Sequence, residues 1–125
     1  MLFLQSRMKY ATVFVSILII IAVLIPGSNL PDVNIGGYDK LIHMAMFAMW
    51  ALAVRYDFHA KPFKFFVIFS AGVLFSVLTE VLQILVEGRS FDIFDMLADV
   101  IGLIIGLLVS GPVVRWVKQF GTQNN

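Results

Sequence analysis

Between Tyr10 and Ile25 the chain reads YATVFVSILIIIAVLI, without a charged residue, and it breaks at Pro26-Gly27. A second apolar stretch follows Lys64, interrupted only by Ser70, Ser76, Thr79, Glu80 and Gln83 as it runs to Val86, and a third fills residues 100–114. Hydrophobic residues make up 60% of the 125, charged residues 14%, and the mean hydropathy is +0.93. An average soluble domain carries about 25% charged residues. A soluble fold this short buries only part of its surface and could not hide so much hydrocarbon. The bilayer is the natural solvent. The expected fold is all-α: a polytopic membrane protein with four transmembrane helices in a compact bundle. They are placed at about 8–26, 38–56, 63–87 and 91–114 of a single domain spanning 1–125.

The first helix has the basic start (Arg7, Lys9) and apolar core of a signal peptide. The sequence after it, PGSNLPD, offers no small-x-small cleavage site, so the helix is expected to stay. The second, YDKLIHMAMFAMWALAVRY, is somewhat short against the roughly 20 residues of a full span. Tyr38, Arg55 and Tyr56 would anchor its ends at the interfaces. The connection at 55–64 (RYDFHAKPFK) is basic, with His59 expected to be exposed. Arg7, Lys9, Arg55, Lys61, Lys64, Arg115 and Lys118 fall at the termini and in this middle loop, and only Lys40 and Arg89 on the other side. By the positive-inside rule both termini are cytoplasmic. Asp32, Asp39, Glu87, Asp92 and Asp95 collect outside.

Residues 79–106 hold most of the polar chemistry. Glu80, Gln83 and Glu87 stand at i, i+3 and i+7, and Asp92, Asp95 and Asp99 repeat that spacing on the next helix, with Arg89 at the turn. Such spacings share one helix face. The topology brings Asp39, Lys40 and His43 to the same outer end. His43, Glu80 and Asp99 then lie at membrane depth at one level, and ionisable groups there usually face a cavity or a partner. The candidate site is therefore an outer-leaflet pocket lined by Asp39, Lys40, His43, Glu80, Gln83, Arg89, Asp92, Asp95 and Asp99.

Several chemistries fit these residue types. The carboxylates and His43 suit a hard divalent cation, although no known binding-loop spacing occurs and no other cofactor is evident. Glu80, Asp92 and His43 are the acid–base candidates; no nucleophile elbow or Ser-His-Asp order accompanies them. Arg89 and Lys40 suit a phosphate, which at this interface belongs to a lipid or a lipid-linked glycan. The plain alternative is a network that only fixes packing, with Glu80 paired to Arg89 or Lys40. Glu87, beside Gly88, reads better as a solvated turn residue, and Met44, Met46 and Met49 as packing. Gly102, Gly106 and Ser110 form a small-residue stripe that favours close helix contact within the chain. The absence of Cys excludes disulfides and thiolate metal sites, and a net charge of +1 gives no sign of a nucleic-acid partner.

DKLIH at 39–43, the Glu-x-x-Gln of Glu80 and Gln83, and RSFDIFDMLADVIGLIIG from Arg89 together resemble the VanZ-like family. The resemblance covers roughly residues 26–110. It implies a bacterial cytoplasmic (inner) membrane protein associated with resistance to the lipoglycopeptide teicoplanin, and marks Asp39, Lys40, His43, Glu80, Gln83, Arg89, Asp92 and Asp95 as the family's polar set. Asp99 stands where members usually have Asn. The phosphotransbutyrylase label of some members finds no nucleotide or CoA motif here. The expected function is binding of a phosphate-bearing lipid or envelope precursor, with membrane lipids as partners. Arg89 and Lys40 would hold the head, Glu80, Asp92 and His43 would orient it, and Asp95 and Asp99 would buttress Arg89 or a cation. The rivals are an enzyme modifying an envelope lipid or glycan, with Glu80 or Asp92 as general base, and a structural membrane partner.

Overall fold

The structure, a computed structural model, describes residues 10–26, 38–58 and 65–123, which form four α-helices: α1 (Tyr10–Leu24), α2 (Tyr38–Asp57), α3 (Phe65–Ile84) and α4 (Ile93–Gln123). No strand occurs among them. His59, Lys61, Lys64, Asp32, Arg7 and Lys9 lie outside the described residues, as does the side chain of Lys118.

Helix ends follow local chemistry. The stop of α1 precedes Pro26, whose ring disfavours helical geometry at Ile25. Asp39 in the first turn of α2 and Arg55 in its last complement the helix dipole. α3 ends at Ile84, three residues short of the expected boundary, because the chain turns through Val86-Glu87-Gly88-Arg89. The Arg89 N–H donates to the Val86 carbonyl (3.2 Å), and Gly88 has φ 78°, as a type II turn demands of its third residue. Glu87 is accordingly exposed in a turn rather than part of a helical stripe. α4 begins two residues later than expected and runs on through Gly111-Pro112, where a stop was expected. Pro112 removes the bond to the Leu108 carbonyl. Leu108 is 70% exposed, so the carbonyl that loses its partner lies on an open face of the helix.

α2 is the central helix and packs most extensively on α4. Phe47, Trp50, Ala51 and Val54 of α2 meet Ile19 and Val23 of α1, Ile68 of α3, and Leu103 and Leu107 of α4. Trp50 Nε1–H donates to Ser16 Oγ (3.0 Å), and Phe75 packs against both Phe47 and Trp50 with ring centroids 5.6 and 5.7 Å away. The α2–α4 approach is set by glycine. A Cβ on Gly102 would collide with the Met44 carbonyl, and one on Gly106 would lie 2.5 Å from the Ala48 carbonyl oxygen. The small-residue stripe thus serves contact within the chain.

The outward faces carry large apolar side chains such as Phe14, Ile21, Phe66, Leu74, Ile93 and Leu97. Phe65–Ile84 and Ile93–Val117 are each long and apolar enough to cross a membrane. α1 and α2 do not meet that test: the described part of α1 has 15 residues, and α2 carries the charges at its ends.

Gly102→Ala should lower stability by about 1–3 kcal/mol, the cost of overpacking against rigid backbone. Gly72→Ala should cost less, because its Cβ would meet only the flexible end of Leu103. Thermal unfolding in detergent tests the contrast, and equal losses would contradict the account of the α2–α4 contact.

Candidate functional site

Asp92 is the hub of the polar end. It directly precedes α4, and its Oδ1 accepts the Phe94 N–H (2.9 Å) while its carbonyl accepts the Asp95 N–H (3.1 Å): it caps the helix. Its own N–H donates to Glu80 Oε2 at 3.2 Å, joining α3 to the start of α4. Its Oδ2 accepts from Lys40 Nζ at 3.0 Å, and the same ammonium reaches Asp95 Oδ1 at 3.0 Å. The spacing argument had placed Asp92 on a helical stripe; its position is the cap instead. The signal for this was available, since an Asp just ahead of an apolar run with a second acid three residues on is a start signature.

Deeper in the bundle, His43 Nδ1–H donates to Asp99 Oδ1 (2.9 Å), and Ser76 Oγ–H donates to Asp99 Oδ2 (2.6 Å). His43 Nε2 lies 3.7 Å from Asp95 and 3.9 Å from Asp39. These distances exceed hydrogen-bonding range and leave only electrostatic attraction. His43, Glu80, Gln83, Asp95 and Asp99 are all buried, and Glu80 and Asp99 have no exposed surface. Glu80 Oε1 has no hydrogen-bond partner among the described residues.

The structure therefore brings Asp39, Lys40, His43, Glu80, Asp92, Asp95 and Asp99 into one cluster spanning α2, α3 and α4, with Gln83 buried one turn beyond Glu80. Arg89 takes another part. Its Nε–H donates to the carbonyl of Ile25 at the end of α1 (3.2 Å), and it pairs with no carboxylate among the described residues. Glu80 pairs with neither Arg89 nor Lys40, and Asp95 is held by Lys40 rather than by Arg89.

Outside the membrane-spanning segments the clearest titration effect is at Asp92. The hydrogen bond from Lys40 lowers its pKa below the ordinary 3.8, and the Phe94 N–H acts in the same direction. A depressed folded-state pKa means that the stabilisation is present at neutral pH and is lost as pH falls through that lowered value.

Sequence reasoning missed the opposite end. Asp57, buried at the end of α2, accepts the Thr12 N–H at 2.6 Å and so caps α1 from another helix. Arg55 Nε–H donates to Ser110 Oγ at 3.3 Å, tying α2 to α4 at the same level. Nothing in the order of residues pairs 12 with 57 or 55 with 110. An apolar cavity of about 350 Å³ opens near this end, lined by Ala11, Met49, Tyr56, Val113 and Val117 among others, and contains none of the polar cluster.

Two helices long and apolar enough to cross a membrane, in an all-helical bundle with large apolar side chains outward, point to a membrane protein. The chain belongs to the VanZ family: the profile described as VanZ/LLP1 matches residues 1–114, nearly the whole chain. The comparisons with curated proteins and with solved structures found no significant match.

Asp92→Asn keeps the cap and loses the charge pair, whereas Asp92→Ala loses both and should be less stable by a further ~1 kcal/mol. Acidification of the wild type below about pH 4 should remove a stabilising contribution that Asp92→Asn already lacks. Detergent-phase melting against pH reads both, and identical pH profiles would contradict the Lys40–Asp92 assignment.

Proposed function

We propose that the protein spans a bacterial cytoplasmic membrane four times, with both termini inside, and binds the phosphate-bearing head of a lipid or lipid-linked envelope precursor at the outer end of the bundle. The antiparallel order supports this orientation. Arg55 and Arg115 fall at one end and the acidic cluster at the other, as the positive-inside rule asks. α1 and α2 would complete the crossing with help from interfacial residues.

The observation that carries the ligand is Arg89. Its guanidinium sits half-buried at the mouth, anchored by Nε to the Ile25 carbonyl. Arginine presents five N–H donors, and one of them is engaged in this way. The others have no partner among the described residues, and a phosphate at the interface would take them. Lys40 is withdrawn from that role, because it is committed to Asp92 and Asp95. Its part is to neutralise the floor beneath the ligand. Occupation of such a site would change how the envelope meets a lipid-tailed glycopeptide such as teicoplanin, which is the resistance link that family membership supports.

The unpartnered Oε1 of Glu80 favours a second reading, an enzyme acting on the same head group with Glu80 as general base. Asp92 is a poorer base, since both its oxygens are engaged. Glu80→Gln would then bind normally and lose turnover.

Native mass spectrometry of the detergent-purified protein should find a phospholipid or phosphorylated glycolipid adduct, weakened roughly tenfold or more in Arg89→Ala by loss of a charge-assisted hydrogen bond. Equal adducts on both proteins would refute the role of Arg89.

A further inference from the structure

The acidic cluster contains more negative charge than its protein partners balance. Asp39, Glu80, Asp92, Asp95 and Asp99 gather at one end, and among the described residues Lys40 is the cation paired with them, bonded to Asp92 and Asp95, while Arg89 at the rim bonds the Ile25 carbonyl instead. That leaves Glu80 and Asp99, both without exposed surface, facing His43, which is 2% exposed. An isolated carboxylate in so dry a place is strongly disfavoured unless a proton or a cation accompanies it.

His43, Glu80 and Asp99 each present one potential ligand atom, and the three atoms lie within 4.8 Å of one another. A second observation points to a ligand there. Glu80 Oε2 is held by the Asp92 N–H, while Oε1 is fully enclosed and has no hydrogen-bond partner. At Asp99 both oxygens are engaged: Ser76 Oγ–H holds Oδ2, and Oδ1 pairs with His43 Nδ1, itself one of the three candidate ligands. Glu80 therefore has one oxygen fixed by a donor and the other enclosed without one, and Asp99 is fixed from outside the trio by Ser76. Such outer hydrogen bonds orient metal ligands.

We propose that His43, Glu80 and Asp99 hold a divalent transition-metal ion of the Zn²⁺ or Mn²⁺ class, inside the bundle between α2, α3 and α4. One imidazole and two carboxylates suit these ions, and three protein ligands leave a position open for water or a head-group oxygen. Metal–ligand bonds of about 2.0–2.2 Å put the ligand atoms of a tetrahedral site roughly 3.3 Å apart. The 2.9 Å between His43 Nδ1 and Asp99 Oδ1 opens slightly to reach that spacing, and the distances to Glu80, within 4.8 Å, close to it. The ion takes the place of the proton that this pair shares, and the proton leaves to solvent. The site does not depend on the phosphate-lipid reading, because the metal alone would bind.

The test uses the full chain, purified in detergent without a histidine tag, stripped with a chelator and then dialysed against Zn²⁺ or Mn²⁺. Elemental analysis should find about one equivalent retained by the wild type and by Glu87→Gln, a control in the exposed turn, and little by Glu80→Gln. The melting temperature of the wild type should rise on metal addition and fall on chelation, as for any ligand that binds only the folded state. Should Glu80→Gln fail to fold, Asp99→Asn and the wild-type melting shift take its place. Retention no greater in the wild type than in Glu80→Gln, or a wild-type melting temperature indifferent to metal, would overturn the site.

Discussion

Carboxylates enclosed in a hydrocarbon bundle are the condition to which the rest of this structure conforms. Asp95, Asp99 and Glu80 persist there only because partners from other helices reach them: Lys40 and His43 from α2, Ser76 from within α3, and the Asp92 N–H at the start of α4. Gly102 and Gly106 follow Asp95 and Asp99 on the same face of α4 and let it approach the α2 backbone at Met44 and Ala48, beside the 2.9 Å hydrogen bond between His43 and Asp99. The polar pairs and the glycine seam express one constraint.

Much of this was legible from spacing. The i, i+3, i+7 arithmetic that gathers acids on α4, and the Asp-Lys-x-x-His at the entry to α2, pointed to a common end of the bundle, and the structure brings those residues together. The small-residue stripe was legible as contact within the chain. The pairings were not. Whether Glu80 meets Arg89, Lys40 or a backbone N–H depends on how helices rotate against each other, and a backbone partner leaves no trace in the order of side chains. Arg89 on the Ile25 carbonyl and Asp57 on the Thr12 N–H are of this kind. The run-on of α4 through Pro112 was illegible for another reason. A proline removes one backbone bond and crowds the preceding turn, but the helix here continues past it to Gln123.

The two ends of the bundle differ in chemistry. At one, charged side chains interlock and leave Arg89 at the rim. At the other, the polar contacts are isolated, Asp57 with Thr12 and Arg55 with Ser110, and they flank an apolar cavity of about 350 Å³. The proposed polar ligand would sit at the first end. The second carries a helix cap and one tie between α2 and α4.

The central claim is that Lys40 is an internal counter-ion for Asp95 and Asp92, and a double-mutant cycle tests it most directly. Unfolding free energies would be measured in detergent for the wild type, Lys40→Met, Asp95→Asn and the double variant. Lys40→Met strands a carboxylate that is 4% exposed, so it should be the more damaging single change, and Asp95→Asn should relieve much of that damage. The expected coupling is about 1–3 kcal/mol, between the values for exposed and fully buried pairs. Strict additivity of the two substitutions would contradict the account and leave the cluster without its organising charge.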